Sequence, residues 1–204
     1  GVSGKKLGAG GISFTLAPRI NAAGRMGSAM TAFRLLLSDD ENDAAELAKT
    51  IDTYNKERHS VENEITKQAI AEIESRPDEK YASVIVVSGE NWHQGVIGIV
   101  AARLCGKYGK PAVVISGDGG KGKGSCRSYG GFNLFDALSA CSEYLEGFGG
   151  HALAAGLNIK RDKLRQFCRA FSEYYENNKP TELPTLCCDI CVTDPGILDM
   201  KGVD

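Results

Sequence analysis

Residues 81–116 read YASVIVVSGENWHQGVIGIVAARLCGKYGKPAVVIS, and the fold turns on them. The run at 81–88 is short, apolar and β-branched, as in a buried strand. Residues 95–108 space their apolar groups at three and four with small residues between them, which predicts a closely packed helix. Residues 111–116 (PAVVIS) repeat the strand signature. Strand, helix, strand makes a βαβ unit with a parallel pair, since parallel strands need a crossover of this length.

Working downstream, residues 117–124 predict a turn and 125–128 a short strand. Residues 133–145 predict a helix capped by Asn133, and the glycines at 147–150 break it. Residues 153–160 return to the sheet, and 162–177 form a last amphipathic helix carrying Leu164, Phe167, Cys168, Phe171 and Tyr174. Residues 80–178 thus read as one compact domain, and 179–185, with two prolines, as a linker into a truncated module. Upstream, Ser38, Asp39 and Asp40 offer N-caps to a polar, alanine-rich stretch at 42–76. Its Leu47, Ile51, Tyr54, Val61, Ile65, Ala69 and Ile73 recur at helical spacing. This is one long helix, or two with a small break, ended by Pro77. About thirty residues would span roughly 45 Å, which suits a connector between domains, and the strand after it is expected at the centre of the sheet. The fold class is therefore α/β: a long connector helix leading into a small mixed-sheet domain with helices packed on the sheet.

Composition agrees with a soluble globular chain: 204 residues, 42% hydrophobic, 25% charged. No stretch suits a bilayer span, a signal peptide or a transit peptide, so a cytoplasmic protein is expected. The sequence opens on Gly1 and both ends lie in mid-pattern, which reads as an excised piece of a larger protein. Seven scattered cysteines argue for reduced thiols. The cluster Cys187, Cys188, Cys191 has no fourth ligand and no histidine near it, so buried strand cysteines are a plainer reading than a zinc site. The net charge is only −2, but residues 1–34 hold Lys5, Lys6, Arg19, Arg25 and Arg34 with no acid, and residues 91–130 hold six bases against Asp118. Two distant basic segments are consistent with a polyanion surface, or with solvated lysines alone.

Residues 117–122 (GDGGKG) match G-x-G-x-x-G after a strand, but no helix follows to face a pyrophosphate. The near P-loop at 117–124 has Gly124 where a Ser or Thr must hold the metal. Both are rejected in favour of a glycine-rich hairpin with two lysines. In residues 124–128 (GSCRS), alternation places Ser125 and Arg127 on one face, at the edge or end of a strand. A guanidinium fork beside a hydroxyl suits an oxyanion, and an ordinary surface ion pair is the alternative. Residues 149–156 (GGHALAAG) put His151 between a glycine pair and small residues, compatible with main-chain contact to phosphate or with a structural histidine. Trp92, His93 and Gln94 precede a helix N-terminus, where anions are favoured, or form an ordinary cap and loop. Residues 18–25 (PRINAAGR) carry two arginines and Asn21 ahead of a helix expected near Ser28.

Taken together and in order, APRINAAGRMG (17–27), NWHQGVIGIVAARL (91–104), GSCRS (124–128), GFNLFDAL (131–138) and FGGHALAAGL (148–157) resemble one family. They look like the C-terminal part of the catalytic core of bacterial RecJ, the single-strand-specific 5′-to-3′ DNA exonucleases of the DHH phosphoesterase superfamily. The resemblance implies that 1–37 is the tail of the DHH domain, 38–79 the connector, 80–178 the DHH-associated substrate-binding domain, and 179–204 a linker with the truncated start of an OB-like domain. In the family the DHH domain holds two Mn²⁺ or Mg²⁺ ions that activate water. This chain has no Asp-His-His word, so no metal ligand is expected in it and it should be inactive alone.

Carried over by position, Arg25, Ser125 and Arg127 match residues that hold the 5′-terminal phosphate, and His151 matches a catalytic histidine reaching toward the scissile phosphate. Asn21, Trp92, His93, Gln94, Gly149 and Gly150 match residues lining the cleft. The implied partner is single-stranded DNA, with DNA-repair proteins as further associates of a monomer acting in repair and recombination. Two alternatives stand beside this one. A DHH-family small-nucleotide or oligonucleotide phosphoesterase shares the GGH word but is usually shorter, without the connector or the GSCRS and GFNLFDAL pairing. A non-catalytic nucleic-acid-binding module is the other.

Overall fold

The computed structural model describes residues 6–76, 83–181, 188 and 191. A helical turn at Ala9–Gly11 and a π-helical stretch at Ile12–Leu16 lead into α1 (Ala17–Met26). The arginine-rich word at 18–25 is thus itself helical, rather than a loop before a helix. Pro18 stands in its first turn, where a missing N–H costs least. Ser28 then caps α2 (Ala29–Leu37), accepting from the Met30 N–H.

The connector is one unbroken helix, α3 (Glu41–Ser75), 35 residues long and so about 52 Å from end to end. Asp40 caps it by accepting from the Asp43 N–H at 2.8 Å, and Glu41 and Asp43 complement the positive end of the dipole. Its stripe serves two cores. Ile51 packs with Ala23 of α1 and Ala32 of α2, whereas Ile65, Ala69 and Ile73 pack against the sheet domain. One rigid element therefore fixes α1 relative to the sheet.

That domain comprises β1 (Ile85–Glu90), α4 (Gln94–Tyr108), β2 (Ala112–Asp118), β3 (Lys121–Arg127), α5 (Leu134–Ala140), β4 (Leu145–Gly150), β5 (Ala154–Lys160) and α6 (Leu164–Asn178). The sheet order is β1-β2-β3-β5-β4. β1 and β2 are parallel, with Ile85 opposite Ala112, as the βαβ reading requires, and the other pairs are antiparallel. β1 is an edge strand and not a central one: Ile85 and Val87 are buried by α3 and α4, not by a strand on each side. β3 takes the centre, and Arg127 stands at its end.

The stretch at 117–124 is tighter than expected. β2 runs to Asp118, Gly119 and Gly120 turn with positive φ, and β3 starts at Lys121. No helix follows this glycine-rich word, and it is a hairpin tip. The helix at 133–145 stops at Ala140. A 3₁₀ turn at Ser142–Tyr144 follows, and residues 145–150 pair with β5 as strand β4 across a bulge at Leu145/Gly147. Three glycines in six residues give no strand signature, which is why the sequence here looks like a break and not a strand.

α5 and α6 cover one sheet face, where Phe132, Leu134, Leu138, Phe167 and Phe171 bury Val113, Ile115, Cys126, Leu157 and Ile159. On the other face α4 packs over β2 and β3 and leaves β5 and β4 open. Cys105, Cys126 and Cys141 are buried free thiols, and burial pushes that of Cys126 up to about 12. Cys188 and Cys191 are exposed, against the reading of buried strand cysteines, and Cys187 lies outside the described residues. Among the described residues no group of three or more candidate metal ligands occurs, and no helix is long and apolar enough to cross a membrane.

Candidate nucleic-acid interface

The site is organised by the first two turns of α4. His93 is its N-cap, with Nδ1 accepting from the Gly95 N–H at 3.1 Å. Gly95 and Gly98, three residues apart, present one face of the helix. A Cβ on Gly95 would lie 2.6 Å from the main-chain oxygen of Arg25. One on Gly98 would lie 3.0 Å from Ser125 Oγ and 3.1 Å from Arg127 Nη2. The two glycines are thus the seats on which α1 and β3 rest.

Arg25 donates from Nη1 to the Gly95 carbonyl at 2.8 Å. Arg127 donates from Nη1 to Ser125 Oγ at 3.2 Å and to the Cys126 carbonyl at 2.8 Å. Among the described residues neither guanidinium has a carboxylate partner, so Arg127 is not half of a surface ion pair. Two uncompensated guanidiniums and a hydroxyl therefore meet at one helical turn, from segments far apart in sequence. Such a set offers charge-assisted donors to an oxyanion.

From there the open sheet face continues the surface. Lys123, Ser125 and Arg127 alternate onto it, while Gly124 and Cys126 point into the core. In register, Ser125 stands beside Gly156 and then Gly149, and Lys123 beside Asn158 and then Gly147. The result is a trough of about 390 Å³ with much bare main chain on its floor. His151 lies in the turn joining β4 to β5. Its N–H donates to the Ala154 carbonyl at 2.8 Å, and Ala154 stands opposite Arg127 in the next strand. The chain comes so close there that a Cβ on Gly150, whose φ is +141°, would lie 2.5 Å from the Ala154 oxygen. The imidazole of His151 is exposed.

Not every anticipated residue joins this surface. Trp92 is buried, its Nε1 donates to Gln68 Oε1 at 2.7 Å, and its carbonyl accepts from Ser116 Oγ. It braces α3 against the sheet. Gln94 is exposed at the first turn of α4. Asn21 is exposed on α1 and lines a separate bowl with Arg25. Gly95, Gly98, Lys123 and Asn158 were not singled out from the sequence as site residues. The glycine pair did leave a trace, since each glycine costs a helix interior about 1 kcal/mol relative to alanine and calls for a reason.

Residues 78–177 match the DHHA1 domain family. The chain is 41% identical over 173 residues to the single-stranded-DNA-specific exonuclease RecJ of Bacillus subtilis, covering 84% of this chain and 22% of that protein. To RecJ of Escherichia coli it is 35% identical over 176 residues, covering 83% and 30%. The crystal structure of RecJ from Thermus thermophilus in complex with Mn²⁺ superposes with a TM-score of 0.82 at 29% identity, over 95% of this chain and 28% of that one. The chain thus spans less than a third of the length of each of these relatives.

Proposed function

Starting from a RecJ-type chain that carries a DHHA1 domain, we propose that it is the substrate-gripping part of a metal-dependent 5′-to-3′ single-stranded-DNA exonuclease of repair and recombination. The observation that carries the reading is the meeting of Arg25, Ser125 and Arg127 at the Gly95–Gly98 turn, with no carboxylate among the described residues to neutralise them. A terminal phosphate carries more negative charge and a further free oxygen than an internal phosphodiester. A pocket of two guanidiniums therefore prefers the strand end. The trough beyond it, with Lys123 and bare glycine backbone, suits the flexible backbone of a single strand.

In this reading His151 reaches the phosphate to be cut. Hydrolysis uses divalent ions held by residues of the full-length protein outside these 204. RecJ structures in complex with Mg²⁺ and with Mn²⁺ support such ions in the family. The same reading has the protein act as a cytoplasmic monomer.

The test is a fluorescence titration with single strands bearing a 5′-phosphate or a 5′-hydroxyl. The phosphorylated strand should bind more tightly, and Arg127→Ala should remove about 1.5–3 kcal/mol of that preference. Equal affinity for the two ends in the unmutated chain would overturn the reading.

A further inference from the structure

Beside the Arg127 pocket, on the far side of Arg25, α1, α3 and α4 enclose a bowl of about 590 Å³. Arg19, Asn21, Arg25, Asn55, Arg58 and His59 supply its polar lining, and no carboxylate is among the described lining residues. The ion pairs behind it leave an excess of positive charge. Asp52 is shared between Arg19, at 2.9 Å, and Lys56, at 2.9 Å. Glu62 is shared between Arg58, at 2.6 Å, and Arg103, at 3.2 Å. Arg25 has only a carbonyl. Four cations thus share two carboxylates, and Arg25 adds a fifth positive charge. Arg58 is the telling group. Its side chain is 9% exposed, Nη1 is given to Glu62, and Nη2 to Asn55 Oδ1 and to Nε2 of His59, yet its Nε has no partner among the described residues. A buried charged donor without a protein acceptor is costly, and a water or a bound anion is its usual partner.

We propose that this bowl is a second anion site, which takes an internal phosphodiester of the bound strand, apart from the terminal phosphate at Arg127. The proposal rests on the single-strand reading above and adds the path: from the Arg127 pocket the strand passes Arg25 and turns toward α3. Arg25 borders both sites, and Ile99, next in sequence to Gly98, lines the bowl from α4.

The test places a carboxylate in the bowl. His59 is largely exposed, and His59→Asp sets an acid beside Arg58 without emptying the core. Asn55→Asp, isosteric and already accepting from Arg58 Nη2, makes the same change from within α3, should the first variant not fold. Asn177→Asp, on the far end of α6, is the control for net charge. For each protein, affinity for a 5′-hydroxyl and a 5′-phosphate single strand is measured against salt concentration. Loss of one phosphodiester contact should weaken both strands about tenfold and lower the log–log salt slope by about 0.7. The preference for the phosphorylated end and the behaviour of the control should stay unchanged. Unaltered slopes in the bowl variants would overturn the proposal. So would a loss confined to the 5′-phosphate strand, which would make the bowl part of the terminal pocket. Absence of any end preference in the unmutated chain would refute the terminal-phosphate reading and leave the slope comparison intact.

Discussion

A Gly98→Ala substitution adds one methyl group at the point where α4 faces the end of β3. In the helix interior that change favours folding by about 0.8–1 kcal/mol. The new carbon would sit 3.0 Å from Ser125 Oγ and 3.1 Å from Arg127 Nη2, inside the roughly 3.5 Å at which such atoms rest. Both neighbours are ends of side chains, so each can yield by a few tenths of an ångström at a cost of about 0.5–1.5 kcal/mol in displaced torsions. The two effects nearly offset, and Tm should move by less than about 4 °C. Binding should respond differently, because the atoms forced aside are the two donors assigned to the terminal phosphate. Loss of one charge-assisted contact, about 1.5–3 kcal/mol, corresponds to at least a tenfold drop in preference for 5′-phosphorylated over 5′-hydroxyl strands. Thermal melting and fluorescence titration of the same preparation read the two quantities. Full end preference at an unchanged Tm would refute the reasoning. A fall in Tm beyond about 10 °C would show that Gly98 serves packing instead.

Gly95→Ala should behave in the opposite way: its Cβ meets the main-chain oxygen of Arg25 at 2.6 Å, which no rotamer relieves. Overpacking of about 1–3 kcal/mol should lower Tm by several degrees and weaken end preference together, whereas an unchanged Tm would mean that α1 does not rest on α4. Because the His151 side chain is exposed, His151→Ala should leave the melt alone and, in the full-length enzyme, lower kcat more than it raises KM. An equal loss in substrate binding would make it a binding residue. Burial raises the Cys105 thiol, that of Cys141 to about 11 and that of Cys126 to about 12, which keeps all three protonated and shielded at pH 8. Iodoacetamide should then label Cys188 and Cys191 in the native chain and reach the buried three only after unfolding, with equal labelling rates by mass spectrometry counting against the packing described.

The parallel βαβ unit was legible because β1, α4 and β2 each carry an apolar pattern of the right period and length. What that pattern could not supply was lateral position. Ile85 and Val87 are as buried at an edge roofed by α3 and α4 as they would be at the sheet centre. β4 was hidden because Gly147, Gly149 and Gly150 have no side chains to alternate. The same absence leaves its backbone bare in the trough. At the site, alternation correctly put Ser125 and Arg127 on one face. Their meeting with Arg25 depends on a helix–helix contact at Gly95 that no local pattern encodes. Trp92 shows the converse limit, since an aromatic beside a helix N-terminus looks the same in sequence whether it meets a ligand or, as here, Gln68 and the core.

The shared use of Arg25 and Arg127 is tested most directly by a double-mutant cycle. End preference, as the free-energy difference between 5′-phosphate and 5′-hydroxyl strands, is measured for the unmutated chain, Arg25→Ala, Arg127→Ala and the double variant. Two guanidiniums on one phosphate should couple, with the two single losses and the double loss differing by more than about 0.5 kcal/mol. Strict additivity, or an end preference indifferent to Arg25, would contradict a common pocket.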